Sequence, residues 1–175
     1  MEGLVKSLLD LSRIEATASH FNLTRVDFSQ LVRDICEQFA SRAEQTEHEF
    51  QISELEEQVF VMGHAEQLRQ VVTNLLENAL KFTPRKGSIT VALGTDMNDA
   101  KLTITDTGIG IPVEDLPNLF ERFHRARNVS NYAGNGLGLT IVKAIVTGHG
   151  GDIFVQSQGG NGTQVVVSIP VYRED

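Results

Sequence analysis

Nine of the chain's 15 glycines fall between Gly134 and Gly162, whereas the first 60 residues hold only Gly3 and no proline. Glycine and proline punctuate secondary structure, so this asymmetry divides the fold: helix in front, turns, strands and loops behind. A length of 175 residues allows one domain, with room for an appendage. With 41% apolar and 22% charged residues, the chain can bury a sizeable core and is not a disordered tail.

Local periodicity fills in the elements. Apolar residues at 28, 31, 32, 35, 36, 39, 40 and 43 predict a helix over 28–45. Asp27 with Gln30 has the spacing of a capping box, and Val26 with Leu31 that of a hydrophobic staple. Over 65–81, Leu68, Val71, Val72, Leu75, Leu76, Ala79 and Leu80 predict a second helix, ended by Pro84 and Gly87. Another runs from about Leu137 to Val146. Residues 4–19 carry a stripe of Leu4, Leu8, Leu11 and Ile14 that starts without an N-cap, as the end of a longer helix would. Strand signals pair off as Phe50/Ile52 with Val59/Val61, and as Ile89/Val91/Leu93 with Leu102/Ile104 across the polar turn GTDMNDA. A last pair, Ile153/Val155 and Val165/Val167/Ile169, flanks QGGNGT. The order predicts an α/β two-layer sandwich: a mixed, mostly antiparallel sheet with helices on one face, preceded by a helical stub.

Charge and cysteine content narrow the function. The net charge of −8 argues against a general nucleic-acid binder. From Arg122 to Gly151, however, Arg122, Arg125, Arg127 and Lys143 occur with no acid between them, a pattern suited to a small anion. Cys36 lies on the apolar face of its helix as a core thiol. As the single cysteine, it excludes an internal disulfide and a multi-cysteine zinc site and fits a cytoplasmic setting. No apolar run approaches the roughly 20 residues of a membrane span, and MEGLVKSLLD is not a signal peptide.

Three segments carry chemistry. On the helix 65–81, Asn74, Asn78 and Lys81 share one stripe beside the apolar face. A carboxamide oxygen is a hard ligand suited to Mg²⁺, and an ammonium is a point charge suited to phosphate. In ITDTGIGIP a strand ends at Asp106 and breaks into Gly108 and Gly110, which let a ligand approach the backbone. Were the ligand a purine, the Asp106 carboxylate would accept from the amine of adenine and repel the carbonyl oxygen of guanine. In GNGLGLTIVK, Gly134, Gly136 and Gly138 run straight into a helix, whose free N–H groups make an anion site. Neither a dinucleotide fingerprint nor a Walker motif is present.

Together the segments resemble the sensor histidine kinases. NLLENALKFTP is similar to their N box, DTGIGIP to the G1 box, LFERFHR to the F box and GNGLGLTIVK to the G2 box. GGNGT is similar to the last glycine motif, and LLDLSRIEA to the end of the dimerisation hairpin. The resemblance implies the Bergerat ATP-binding fold shared with gyrase, Hsp90 and MutL. It divides the chain into the end of a dimerisation helix (1–20) and a catalytic ATP-binding domain (21–175). By matching position it implies Asn78 as the Mg²⁺ ligand, Asn74 where related ATPases carry a catalytic Glu, and Lys81 and Arg125 at the phosphates. It implies Phe82 near the adenine, Asp106 on the adenine amine with Gly108 and Gly110 framing the base, and Thr163 supporting Asp106. Gly134, Gly136 and Gly138, with Leu139, would hold a lid, and 113–133 would be the lid region.

The implied reaction passes the γ-phosphate of ATP to a histidine on a hairpin of the same or a partner chain, for relay to a response regulator. None of His20, His48, His64, His124 and His149 stands in the family's acceptor motif, so that histidine is expected outside these residues. The resemblance also implies a homodimeric full-length protein, membrane-anchored or not through other segments, with no membrane or nucleic-acid contact by this part. The alternatives are a non-catalytic ATP-binding regulatory module and a Bergerat-fold ATPase of another kind.

Overall fold

The computed structural model describes residues 5, 7–9, 11, 12, 14 and 23–173. Its core is a five-stranded sheet in the order β2-β4-β5-β7-β6: β2 (Glu49–Leu55), β4 (Ser88–Asp96), β5 (Asp99–Asp106), β6 (Asp152–Ser157) and β7 (Thr163–Pro170). β2 runs parallel to β4, and the other three pairings are antiparallel. β1 (Thr24–Asp27) and β3 (Phe60–Gly63) form a separate antiparallel pair. Helices α1 (Phe28–Gln45), α2 (Ala65–Phe82) and α3 (Gly138–Gly148) cover one face of the large sheet. The chain is thus an α/β two-layer sandwich with a mixed, mostly antiparallel sheet.

The layers meet along matched apolar stripes. Alternation in β4 and β5 turns Ile89, Val91, Leu93, Leu102 and Ile104 inward, where each is buried. Against them α2 buries Leu68, Val71, Val72, Leu75, Leu76 and Ala79, and α3 buries Ile141, Val142, Ile145 and Val146. α1 starts and stops at the predicted residues and buries its predicted stripe except Ala40. Ser29 joins that buried face because its Oγ donates to the Glu56 carbonyl (2.6 Å) and accepts from Val59 N (3.0 Å). Burial pushes the Cys36 thiol up to about 12, which makes it an inert core residue.

Several expectations need correction. Only half of the capping box forms: Asp27 accepts from Gln30 N (2.9 Å), while the Gln30 side chain reaches forward to Asp34 (2.7 Å). The turn between β4 and β5 is shorter than GTDMNDA. Pairing continues to Asp96↔Asp99, leaving only Met97 and Asn98, with Met97 at φ 51°. The segments around Phe50 and Val59 do not pair with each other but join different sheets. Of the stripe over 4–19, Leu11 and Ile14 are buried in the common core and Leu8 is exposed. Leu4, His20 and the boundary near residue 20 lie outside the described residues. Among the described residues no helix is long and apolar enough to cross a membrane.

His149 locks the two helices that flank the site. It follows α3, is buried, and has Nδ1 2.7 Å from the Ile145 carbonyl. Its Nε2 accepts from the backbone N–H of His64 (3.0 Å), the residue that precedes α2. That acceptor role requires a neutral ring. Burial lowers the His149 pKa, the Ile145 hydrogen bond raises it, and His64 lowers it further. The unfolded chain takes up the proton at about 6.5, the folded chain only below that. The contribution to stability is therefore complete above about pH 6.5 and is lost as the pH falls beneath it. His149→Ala should cost about 1–3 kcal/mol at pH 7.5, because it strands a buried N–H. Urea denaturation at pH 7.5 and 5.5 should show a shallower pH dependence in the variant than in the parent.

Candidate functional site

The site lies where the central strand β5 runs out. Asp106, its last residue, is flanked by Ile89 of β4 and Thr163 of β7. Its Oδ1 accepts from Gly108 N (2.8 Å). Burial raises the Asp106 carboxyl, and backbone N–H groups of Gly108 and Thr163 pull it part of the way back. The chain then turns sharply and is pinned on both sides. Ile109 N donates to the carbonyl of Phe82 at the end of α2 (3.0 Å), and Gly160 N donates to the Ile109 carbonyl (2.7 Å). Gly110 has φ 68°, and a Cβ there would stand 2.0 Å from the Gln158 carbonyl oxygen. Only glycine fits.

Above Asp106 opens a cavity of about 230 Å³. Its walls are largely apolar, with Leu75, Ile104, Leu119, Val155 and Val165 among them. Of the thirteen site residues expected from sequence, eleven line this one cavity: Asn78, Lys81, Phe82, Asp106, Gly110, Arg125, Gly134, Gly136, Gly138, Leu139 and Thr163. Gly108 supports it through its bond to Asp106. Asn74 does not line it. Its Nδ2 reaches instead the Gly138 carbonyl (3.4 Å), so it braces the start of α3.

The same cavity carries two cations, Lys81 and Arg125. Burial lowers the Lys81 pKa, Arg125 lowers it further, and Glu77 works against both. The Arg125 Nη2 donates to the carbonyls of Val129 (2.7 Å) and Tyr132. Next to this pair begins α3, whose N-cap Leu137 makes no side-chain capping bond. A Cβ on Gly138 would meet nothing within 4 Å, so the first turn of α3 is open to the cavity. Uncapped N–H groups at a helix start favour an anion. The volume is below the roughly 300–1,000 Å³ that encloses whole ligands.

Not all of the basic stretch serves this end. Arg127 is spent on the buried Asp115, which accepts from its backbone N (2.8 Å) and faces its Nε at 3.7 Å. Lys143 pairs with Asp152 (2.5 Å). Other residues went unread in the sequence. The Asn128 Nδ2 donates to the Gly110 carbonyl (2.9 Å), and the Ser157 Oγ accepts from Ile111 N (2.8 Å) and lies 2.9 Å from the Thr163 hydroxyl. His124 lines the cavity with Nε2 3.9 Å from Asp115. Apart from His124, which lies in LFERFHR, no local pattern marks these residues. Tertiary contacts recruit them.

Similarity to known proteins falls on the same segments. The profile of the histidine kinase-, DNA gyrase B- and HSP90-like ATPases matches residues 63–173. Over its full length the chain is 33% identical to the sensor histidine kinase WalK of Bacillus subtilis, of which it spans 29%. It spans less than half the length of the curated relatives it matches. A solved structure of the mycobacterial sensor histidine kinase MprB is 32% identical, with a TM-score of 0.71 over 87% of this chain and 99% of that one. Full-length ShkA in complex with AMPPNP is 26% identical, with a TM-score of 0.82 over 98% of this chain and 36% of that one.

The raised Asp106 carboxyl has a consequence for stability. The fold favours its protonated form, so this contribution to stability is complete below the ordinary aspartate value, about 3.9, and is lost as the pH rises through the higher folded value. At pH 7 the charge is a burden on the fold. Asp106→Asn keeps an oxygen for Gly108 N, and thermal unfolding at pH 7 should find its Tm equal to or above the parent's.

Proposed function

The chain belongs to the histidine kinase-, DNA gyrase B- and HSP90-like ATPase family and is the ATP-binding catalytic domain of a sensor histidine kinase; from that premise we propose that its cavity seats the adenine of ATP on Asp106 and the phosphates at Lys81 and Arg125. The observation that carries this reading is that one cavity holds both an anionic and a cationic group beside apolar walls. A carboxylate that burial disfavours and two mutually repelling cations line the same cavity. An anion between Lys81 and Arg125 relieves their repulsion. An amine against Asp106 satisfies a carboxylate that burial disfavours. Adenosine triphosphate presents both groups.

The remaining residues take roles by their chemistry. Gly108 and Gly110 frame the base, Thr163 supports Asp106, and Phe82 packs beside the nucleoside. Gly134, Gly136 and Gly138, with Leu139, bring the open start of α3 to the phosphates. Asn74 holds the Gly138 carbonyl and positions that turn. Asn78 presents a hard carboxamide oxygen to the cavity, a donor that fits Mg²⁺ together with phosphate oxygens. Bound there, Mg²⁺ would supply charge neutralisation on the phosphates.

The reaction is transfer of the γ-phosphoryl group to a histidine on a dimerisation hairpin of the same or a partner chain, and then to a response regulator. An imidazole nitrogen bonds to the γ-phosphorus while the bridging P–O bond breaks and ADP leaves. Positioning and charge neutralisation carry such a step, which matches what Lys81, Arg125 and α3 offer. Residues 1–20 belong to the hairpin in this reading and 21–175 to the catalytic domain. The full-length protein is a homodimer.

Calorimetric titration tests the assignment. Mg·ADP and a non-hydrolysable ATP analogue should bind, and GTP should not. Asp106→Ala should weaken adenine nucleotides by at least about tenfold, the scale of a lost charge-assisted hydrogen bond. Asn78→Ala should remove the dependence on Mg²⁺. A folded sample that binds no nucleotide would move the regulatory, non-catalytic reading to the front.

A further inference from the structure

Tyr132 lies between the LFERFHR segment and the glycine-rich turn, inside the 113–133 stretch that the resemblance makes a lid region. Its ring packs on Phe82, with centroids 5.2 Å apart and planes at 60°. The Lys81 Nζ lies 4.7 Å from the centre of the same Phe82 ring. The Tyr132 carbonyl, together with that of Val129, accepts from the Arg125 Nη2. Its own N–H donates to the Val129 carbonyl (3.0 Å), closing a tight turn around the guanidinium. Two residues on, a Cβ at Gly134 would stand 2.7 Å from the Lys81 Nζ, so the backbone passes directly over the ammonium.

One residue therefore touches the supports of both cations. Lys81 and Arg125 repel each other, and something must hold them in one cavity. The Phe82 ring attracts the ammonium through its face. The carbonyls of Val129 and Tyr132 hold the guanidinium. Tyr132 joins the two supports, its ring on the first and its carbonyl in the second. A guanidinium has five N–H donors. With Nη2 engaged by carbonyls, Nε and Nη1 remain for phosphate oxygens.

We infer that Tyr132 is a positioning residue of the nucleotide site, a strap that sets the spacing of Lys81 and Arg125 for a polyphosphate. The inference rests on the ATP reading above. Because the strap acts through the cations and not through the base, its effect must grow with the phosphate tail.

The full chain, Tyr132→Ala and Tyr132→Phe are titrated calorimetrically with adenosine and with a non-hydrolysable ATP analogue plus Mg²⁺. Tyr132→Ala should weaken the analogue about threefold to tenfold and adenosine less than about twofold, the scale of one aromatic contact. Tyr132→Phe should match the parent, since the ring makes the contact. Amide hydrogen exchange without nucleotide should show lost protection at residue 132 in the alanine variant alone. Equal weakening of adenosine and analogue, or no weakening of either, overturns the strap while leaving the ATP reading in place. A parent that binds neither ligand overturns the ATP reading, and the strap with it.

Discussion

Everything at this site depends on a carboxylate held at the end of the central strand of the sheet. Asp106 is flanked by β4 and β7, and its burial raises its pKa. A charge in that position is costly to the fold and useful to a ligand that brings a donor. Stability and recognition pull in opposite directions at one residue, a common feature of functional sites. The surrounding geometry protects the arrangement. Gly110 admits the Gln158 carbonyl, Ser157 holds Ile111 N, and the turn is anchored to Phe82 at the end of α2.

The second constraint is the way three helices cover one sheet face. α2 and α3 each place one end at the cavity, so packing of the core sets the distance between Asn78, Lys81 and the open start of α3. Asn74 and His149 fasten the pair at two points. The Asn74 Nδ2 reaches the Gly138 carbonyl, and the His149 Nε2 accepts from His64 N. The loops between β5 and α3 are tied to this floor by Asn128 on the Gly110 carbonyl and by Tyr132 on the Phe82 ring. Asp115 gathers the Arg127 main chain and guanidinium beneath them.

The legible parts of the fold were local. α1 and α2 follow from 3.6-residue periodicity, and the inward faces of β4 and β5 from alternation. Expectation failed where pairing partners are distant. Phe50 and Val59 are neighbours in sequence, yet Glu49–Leu55 pairs with β4 and Phe60–Gly63 with β1. Only part of the basic stretch faces the cavity, for the same reason. Asp115 and Asp152 lie outside it and return to neutralise Arg127 and Lys143, so Arg125 is the one of those three at the cavity.

By itself, the sequence determined which residues could do the chemistry. A carboxylate before paired glycines, two carboxamides and a lysine on one helical stripe, and a glycine run opening a helix are properties of residue type and spacing. Only the tertiary structure decided how they meet. It put Asn74 behind the Gly138 turn, tied Arg125 to the carbonyls of Val129 and Tyr132, and brought Tyr132 against Phe82. The physical reason is range. Periodicity and turn chemistry act over a few residues, whereas burial, charge pairing and hydrogen bonding across a cavity depend on segments that meet only when the sheet and its helices close on a common core.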